Sequence, residues 1–260
     1  MNESQKNIIG IVGGMGPVAG VDLASKVISQ TVAATDQEHL PLILYSFPGE
    51  IGDRTAFILE HETKNAKNPG SAIAQVLLKM EQAGVTVAGM ACNSAHSPVI
   101  FDRITAELMA NRSRISLLHM VREVGWFILY NYTGIRKVGI VGTTGTRASK
   151  LYHLLKEFGV EVVNATCEEQ ERLQSAIYDP TYGIKSTPDG ASPQSVGILS
   201  GVCRSLSKRG AELVVFGCTE FPLAYRKPEI EGLPVVDSSL VLARALVRAC
   251  DPEKLRRWER

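Results

Sequence analysis

The chain has 260 residues, of which 45% are hydrophobic and 21% charged, and its 28 basic and 27 acidic residues give a net charge of +1. This length allows a sizeable core in one large or two small domains, and the balanced charge argues against binding to nucleic acid or to an anionic membrane. The apolar runs are shorter than the ~20 residues of a membrane span and the N-terminus lacks a secretory signal pattern, so we expect a cytoplasmic protein.

The first half of the chain alternates short apolar runs with helical stretches. We predict strands at Ile8–Val12, Leu42–Phe47, Val85–Ala91 and Ile115–His119, and helices at Val18–Thr31 and Ser71–Ala83. A glycine-rich turn, Gly13–Gly16, follows the first strand, and Pro17 suits a first helical turn. Such alternation is typical of parallel sheets with right-handed crossovers.

The second half repeats the first. Gly139–Gly142 matches Gly10–Gly13, and Gly210–Thr219 matches Gly84–Asn93; in the latter pair a glycine, an apolar strand, a cysteine and a small polar residue follow in the same order. We therefore predict an α/β fold of two similar parallel-sheet domains, related by a pseudo-twofold repeat, with the active-site cleft between them.

The predicted domain limits follow from this repeat. We assign residues 1–132 to the N-terminal domain and 133–236 to the C-terminal domain, while residues 237–260 carry a final helix, about Ser238–Ala249, that could pack back on the N-terminal domain. A segment rich in Gly, Pro, Ser and Thr, Tyr182–Ser195, is predicted to be a loop that could move over a site.

Five scattered cysteines without a C-x-x-C pair indicate neither a disulfide framework nor a zinc site, so we expect free thiols and no metal. Two of them, Cys92 and Cys218, end the matched strands. Ligands of parallel α/β sheets bind beyond the carboxyl ends of strands, and a helix N-terminus there would lower the thiol pKa and favour thiolate. Cys167, Cys203 and Cys250 lack this context and are expected to be structural.

Two cysteines facing one cleft suit racemisation at carbon. One group must remove the α-proton and another must return a proton on the opposite face, while hydrogen-bond donors stabilise the charge that develops beside the carboxylate. The candidate donors come from the glycine-rich turn and from residues after strand ends: Met15, Gly16, Asn93, Ser94, Thr143, Thr144, Thr146 and Thr219.

Five motifs in order resemble the aspartate/glutamate racemase family, most closely its aspartate-racemase branch, over nearly the whole chain. They are Ile11–Pro17, Asp36–His39, Asp53–Thr55, Cys92–His96 and Gly217–Leu223. Ser94 stands where the typical motif has threonine, and the stretch after Lys185, Ser186–Gly190, also departs from the usual pattern.

The resemblance implies a two-domain α/β fold, a homodimer, and catalysis without pyridoxal phosphate or another cofactor. It implies that Arg54 and Lys185 hold the side-chain carboxylate of aspartate, and that Cys92 serves the D-enantiomer and Cys218 the L-enantiomer. Glu220 would orient Cys218 or cap a helix. His96 is interpreted as a packed histidine rather than a proton carrier.

We therefore expect a racemase that interconverts L- and D-aspartate, with glutamate as the alternative substrate.

Two other classes of protein stay open. Gly14–Ala19 fits the G-x-G-x-x-A fingerprint of an NAD-dependent oxidoreductase, but Asp36 precedes the second strand and Glu50 comes late for the acidic residue that this fingerprint requires. Two lobes around a cleft also describe a non-catalytic small-molecule binding protein, which would show no exchange of the α-proton.

Overall fold

The computed structural model describes residues 7–60, 66–187 and 192–259, which form two α/β halves with one sheet each. The first sheet is entirely parallel and has the order β2-β1-β3-β4. Its strands are β1 (Ile8–Val12), β2 (Leu42–Tyr45), β3 (Val85–Met90) and β4 (Ser116–Leu117). Alternate residues of β1 face opposite helical layers, with Ile9 and Ile11 in one core and Val12 in another, which explains why the whole run is apolar.

The second sheet repeats this order as β6-β5-β7-β9, with a short antiparallel strand, β8, added at the edge. Its strands are β5 (Lys137–Gly142), β6 (Glu161–Asn164), β7 (Leu213–Gly217), β8 (Glu229–Ile230) and β9 (Leu233–Asp237). The turn between β8 and β9 holds Glu231 and Gly232 at positive φ (51° and 76°), as a two-residue hairpin of the primed type requires. The matching strand orders confirm the predicted class of two similar parallel-sheet α/β units.

Helices cover both faces of each sheet. They are α1 (Pro17–Gln30), α2 (Arg54–Glu60), α3 (Pro69–Gln82), α4 (Pro98–Ala110), α5 (Met120–Asn131), α6 (Thr144–Ala148), α7 (Cys167–Tyr178), α8 (Pro193–Lys208), α9 (Phe221–Ala224) and α10 (Ser238–Cys250). Short 3-10 helices occupy Asp36–Glu38, Ser94–His96, Leu151–Phe158 and Pro252–Lys254. No helix in the described part of the chain is long and apolar enough to cross a membrane.

The last helices of the two halves are exchanged. In α5, Val121, Val124 and Ile128 join the core of the second sheet, whereas in α10 Leu242 and Leu246 join the core of the first. Gly89 permits this approach, because a Cβ there would lie 3.1 Å from Leu242 and 3.2 Å from Leu246. The exchange ties the two sheets together and holds their carboxyl edges in a fixed relation.

The predicted loop Tyr182–Ser195 is shorter than expected. The backbone from Tyr182 to Thr187 forms turns, residues 188–191 lie outside the described part, and α8 already begins at Pro193. The side chain of Ser192 accepts a hydrogen bond from the Ser195 N–H and Pro193 takes the first helical turn, so the Ser-Pro pair is a helix start rather than loop sequence.

Candidate active site

A small cavity with about 310 Å³ of empty space lies between the two halves, at the carboxyl ends of the central strands. Both motif cysteines line it. The full lining is Met15, Arg54, Thr55, Cys92, Asn93, Ser94, Thr143, Thr146, Tyr178, Lys185, Gly217, Cys218, Thr219 and Glu220. Of the residues expected at the site, Gly16 and Thr144 are outside this lining. Gly16 lies directly beside the side chains of Lys185 and Glu220, while the Thr144 N–H donates to Gln174 Oε1 at 2.9 Å.

Cys92 enters the cavity from the first half. It lies two residues beyond β3, where its N–H donates to the Met90 carbonyl at 2.8 Å and the side chain is buried. The Arg54 guanidinium lies close to its sulfur; although burial opposes the charge of Arg54, the interaction with Cys92 and the nearby Asp53 hold the pKa of Arg54 above its usual value. A cation therefore stands beside Cys92.

Cys218 enters from the second half, directly after β7, and the backbone N–H of Glu220 lies close to its sulfur. Burial, followed by the nearby Glu220 carboxylate, raises the pKa of this thiol to about 12. The expectation that a helix N-terminus lowers it is wrong for Cys218, because the following helix α9 has only four residues and the desolvation of a thiolate outweighs its dipole. At Cys218 the effect of the Glu220 carboxylate exceeds that of the Lys185 ammonium, whereas a cation stands beside Cys92.

Three hydroxyls from both halves form a triangle on one side of the cavity. Ser94 Oγ lies 3.1 Å from Thr143 Oγ1 and 3.3 Å from Thr146 Oγ1, and the two threonine oxygens are 3.1 Å apart. Thr143 is also the N-cap of α6, which fixes its side chain. Thr219 lies elsewhere on the lining and donates to the Ala91 carbonyl at 3.3 Å. The hydroxyls of Ser94 and Thr143 can supply neutral donors for a carboxylate, whereas those of Thr146 and Thr219 donate to the Gly217 and Ala91 carbonyls.

Asn93 is held from the opposite half. Its Oδ1 accepts a 2.6 Å hydrogen bond from the Tyr152 hydroxyl, and its Nδ2 donates to Ser238 Oγ at 3.0 Å. Ser238 in turn donates to the Phe216 carbonyl at 2.7 Å. The amide that follows Cys92 is thereby fixed by two residues of the second half of the chain.

Arg54 is anchored through its two terminal nitrogens, while its Nε has no hydrogen-bond partner among the described residues. One terminal nitrogen donates to the Met15 carbonyl at 2.8 Å and the other to the Gly52 carbonyl at 3.0 Å. The Nε atom is also buried. A buried, unpaired N–H of a cation is costly, and an incoming carboxylate would satisfy it.

Lys185 forms an ion pair with Glu220 inside the site. Its Nζ lies 2.6 Å from Glu220 Oε1 and 5.5 Å from the centre of the Tyr178 ring. Glu220 is the residue before α9, but its side chain makes no capping bond to that described helix. Of the two predicted roles, the cap is therefore wrong, and the contact with Lys185 was not anticipated.

Tyr178, Thr55 and Gly217 line the cavity but were not predicted. Tyr178 ends α7, seven residues before Lys185, and its ring lies near that ammonium; burial raises the pKa of its hydroxyl. Thr55 directly follows Arg54 and Gly217 directly precedes Cys218, so the motifs pointed to their positions. No sequence signal pointed to Tyr178.

His96 supports the Cys92 loop from behind. Its Nδ1 lies 2.9 Å from the Cys92 carbonyl, which assigns the proton to Nδ1. Complete burial, with a smaller effect of the adjacent His119, lowers the pKa of His96 to about 3. The residue is neutral at physiological pH and is absent from the cavity lining, in agreement with a packed histidine.

The turn that fits a dinucleotide fingerprint is occupied by site residues. A Cβ on Gly16 would lie 2.6 Å from Glu220 Oε1 and 3.0 Å from Lys185 Nζ. A pyrophosphate approaching Gly16 would meet the Glu220 carboxylate at the N-terminus of α1, which disfavours the oxidoreductase alternative.

Within residues 7–60, 66–187 and 192–259, no group of three or more His, Cys, Asp or Glu is arranged to hold a metal ion.

Comparison with known proteins identifies close structural relatives. A sequence model of the Asp/Glu/Hydantoin racemase family matches residues 12–246. The chain is 26% identical to the broad specificity amino-acid racemase RacX of Bacillus subtilis over 246 residues, 92% of this chain and 96% of that protein. Its fold is similar to that of Picrophilus torridus aspartate racemase (27% identity, TM-score 0.75, 94% of each chain). It is also similar to PH1733, an aspartate racemase homologue from Pyrococcus horikoshii (25% identity, TM-score 0.69, 95% of this chain and 99% of that one).

Proposed function

The chain belongs to the Asp/Glu/hydantoin racemase family, and on this premise we propose that it interconverts L- and D-aspartate by a two-base mechanism with Cys92 and Cys218. The observation that carries the proposal is the shared cavity, which both cysteines line after leaving equivalent strands of opposite halves. Two thiols from opposing walls can reach both faces of one α-carbon, as racemisation requires.

The proposed reaction moves one proton in and one proton out. One cysteine, as thiolate, takes the α-proton, and the electron pair of the C–H bond moves into the adjacent carboxylate. The other cysteine, as thiol, gives its proton to the opposite face of the α-carbon and becomes the thiolate. Ser94 and Thr143 would donate to the α-carboxylate as its charge grows.

The cations of the site support an acidic side chain in the substrate. Arg54 offers the unpaired Nε, and Lys185 stands on the same lining. A guanidinium and an ammonium together favour a distal carboxylate over a neutral side chain. We propose that Arg54 and Lys185 hold this carboxylate, in agreement with the resemblance to aspartate racemases.

Glutamate is the second candidate substrate, since it differs by one methylene, and such a difference changes binding by only about 1–3 kcal/mol. The name of the Bacillus relative, a broad specificity amino-acid racemase, supports testing further amino acids as well.

Incubation with each enantiomer of aspartate and glutamate in D₂O tests the proposal, with α-deuterium followed by NMR and enantiomers by chiral chromatography. The wild-type protein should exchange and racemise aspartate, and Cys92→Ala and Cys218→Ala should each abolish racemisation. Cys167→Ala, a change at an exposed cysteine, is the matched control and should retain activity. Wild-type turnover in both single variants would refute the two-cysteine mechanism.

The proposal includes a homodimer, which the resemblance implies. Light scattering during size-exclusion chromatography would then give twice the chain mass of 28.2 kDa. A mass of one chain would contradict this part of the proposal without affecting the chemistry.

A further inference from the structure

Lys185 holds a carboxylate of the protein itself. Its Nζ lies 2.6 Å from Glu220 Oε1, and Glu220 is only 4% exposed at its side chain. A buried ion pair of this kind is held by its surroundings, because separating the charges would leave one of them unpaired and desolvated. The distal-carboxylate site therefore contains an internal carboxylate.

Three separate segments hold this pair in place. Glu220 follows β7, Lys185 lies in the turns after α7, and Gly16 precedes α1. The absence of a side chain at Gly16 leaves the space that the carboxylate and the ammonium occupy, since a Cβ there would lie 2.6 Å and 3.0 Å from them. The pair is thus part of the wall between the halves and not a surface contact.

The pair also lies where a substrate would pass. Lys185 and Glu220 line the inner cavity with the cysteines, and they line an open outer groove together with Pro17, Ile184 and Arg226. A ligand that reaches the cavity from this groove meets the carboxylate of Glu220 together with the ammonium of Lys185.

We propose that Glu220 is a specificity-determining residue that attenuates the charge of Lys185 and so limits the preference of the site for acidic side chains. An ammonium has three N–H donors, and Glu220 uses one, so Lys185 can hold a substrate carboxylate beside it. The negative charge of Glu220 then repels that carboxylate. This inference rests on the proposed binding of an acidic substrate at Lys185.

Glu220 has a second consequence for Cys218. After burial, the Glu220 carboxylate is the largest influence that raises the pKa of this thiol, and Lys185 and Cys92 act on it as well. Removing the charge of Glu220 therefore changes both the binding of a distal carboxylate and the pH range in which Cys218 stays protonated. Replacing a residue with a purely structural role would not selectively change either the binding of a distal carboxylate or the pH range in which Cys218 stays protonated.

Binding of two inert ligands tests the inference without turnover. Succinate carries two carboxylates, whereas succinamate has the same shape with one of them neutralised as an amide. By calorimetry, Glu220→Gln, which keeps an oxygen acceptor for Lys185, should bind succinate about tenfold more tightly than the wild type and change succinamate binding less than about twofold. The gain should be smaller in the Lys185→Met background, because Glu220 then no longer competes with the ligand for the ammonium and only its direct repulsion of the ligand remains.

The matched control is Glu157→Gln, which breaks a 3.0 Å ion pair with Arg122 on the surface and should leave both affinities unchanged.

The pH dependence of turnover gives a second readout. The alkaline limit of kcat/KM in Glu220→Gln should move to lower pH. Equal changes for the two ligands, no change, or a gain that is undiminished without Lys185 would overturn the inference. Failure of the proposed function has a different signature, namely an intact succinate response in a protein that exchanges no α-proton.

Discussion

The hydroxyl of Tyr152, in the second half of the chain, donates a 2.6 Å hydrogen bond to Oδ1 of Asn93, the residue that follows the first cysteine. Both side chains are buried, and burial raises the pKa of Tyr152, so its hydroxyl keeps its proton over the working pH range. The bond therefore couples the conformation of the Cys92 loop to the other half of the molecule.

Replacing Tyr152 by phenylalanine should cost stability and turnover together. The change leaves the buried Asn93 oxygen without this donor, which costs about 1–3 kcal/mol, and it releases the amide beside Cys92. We expect a drop in kcat of about tenfold with little change in KM, measured by α-deuterium exchange, and a lower urea midpoint. Tyr225→Phe, which removes a bond to the Glu229 carbonyl at an exposed site, should change stability by less than about 0.5 kcal/mol. Equal effects of the two variants would contradict the assigned coupling.

The raised pKa of Cys218 predicts the alkaline side of the pH profile. The active pair has one thiolate and one thiol, and Cys218 is the group that keeps its proton until about pH 12. We therefore expect kcat/KM to show no alkaline decline below about pH 11 from this thiol. Because the two enantiomers have equal free energies, kcat/KM must follow the same profile in both directions.

The measurement is the initial racemisation rate of each enantiomer at low substrate concentration from pH 6 to 10, with circular dichroism to verify folding. A decline between pH 8 and 10 in a folded protein that exceeds the fraction of aspartate losing its α-ammonium proton would show that burial does not hold the Cys218 proton. Glu220→Gln provides the matched comparison, since it removes one cause of the raised pKa and leaves the burial of the sulfur.

The repeat in the sequence was sufficient to predict the two sheets, because each copy carries the same glycine, strand and cysteine. The exchange of α5 and α10 could not be predicted, since an amphipathic helix shows which face is buried but not which sheet covers it. At the site, the positions of Cys92 and Cys218 could be predicted. Both residues follow strand ends, and ligands of parallel α/β sheets bind beyond the carboxyl ends of the strands. The Lys185–Glu220 contact joins two segments of the second half that are 35 positions apart, and the Tyr152–Asn93 contact joins residues 59 positions apart in the two docked halves.

Gly16 should be required for the position of the Lys185–Glu220 pair. The backbone at Gly16 (φ −109°, ψ 154°) suits alanine, so Gly16→Ala introduces no backbone strain. The new methyl group must instead displace the ends of the two flexible side chains. We expect KM for aspartate to rise at least about fivefold while stability changes by less than about 1 kcal/mol.

Gly49→Ala is the control for this change, because nothing lies within 4 Å of a Cβ at that position. Steady-state kinetics and thermal unfolding of both variants check the prediction. Indistinguishable KM values for the two variants would show that the pair tolerates the methyl group without moving.

Acid stability should depend on His96. In the folded protein burial lowers the pKa of this histidine from 6.5 to about 3. Below pH 6.5 the unfolded chain therefore binds a proton that the folded protein does not bind. The stabilisation is complete above pH 6.5 and is lost as the pH falls toward 3, by up to about 1.4 kcal/mol per pH unit. His119, whose pKa is lowered to about 4 mainly by burial, adds to the loss.

Urea unfolding at pH 7.0, 5.5 and 4.5 should therefore show a steep decline in the free energy of unfolding for the wild type. The decline should be shallower for His96→Asn, whose amide can still donate to the Cys92 carbonyl. His153→Asn, a change at an exposed histidine, serves as the control and should follow the wild type. Parallel declines in all three proteins would show that His96 is not the group that resists protonation.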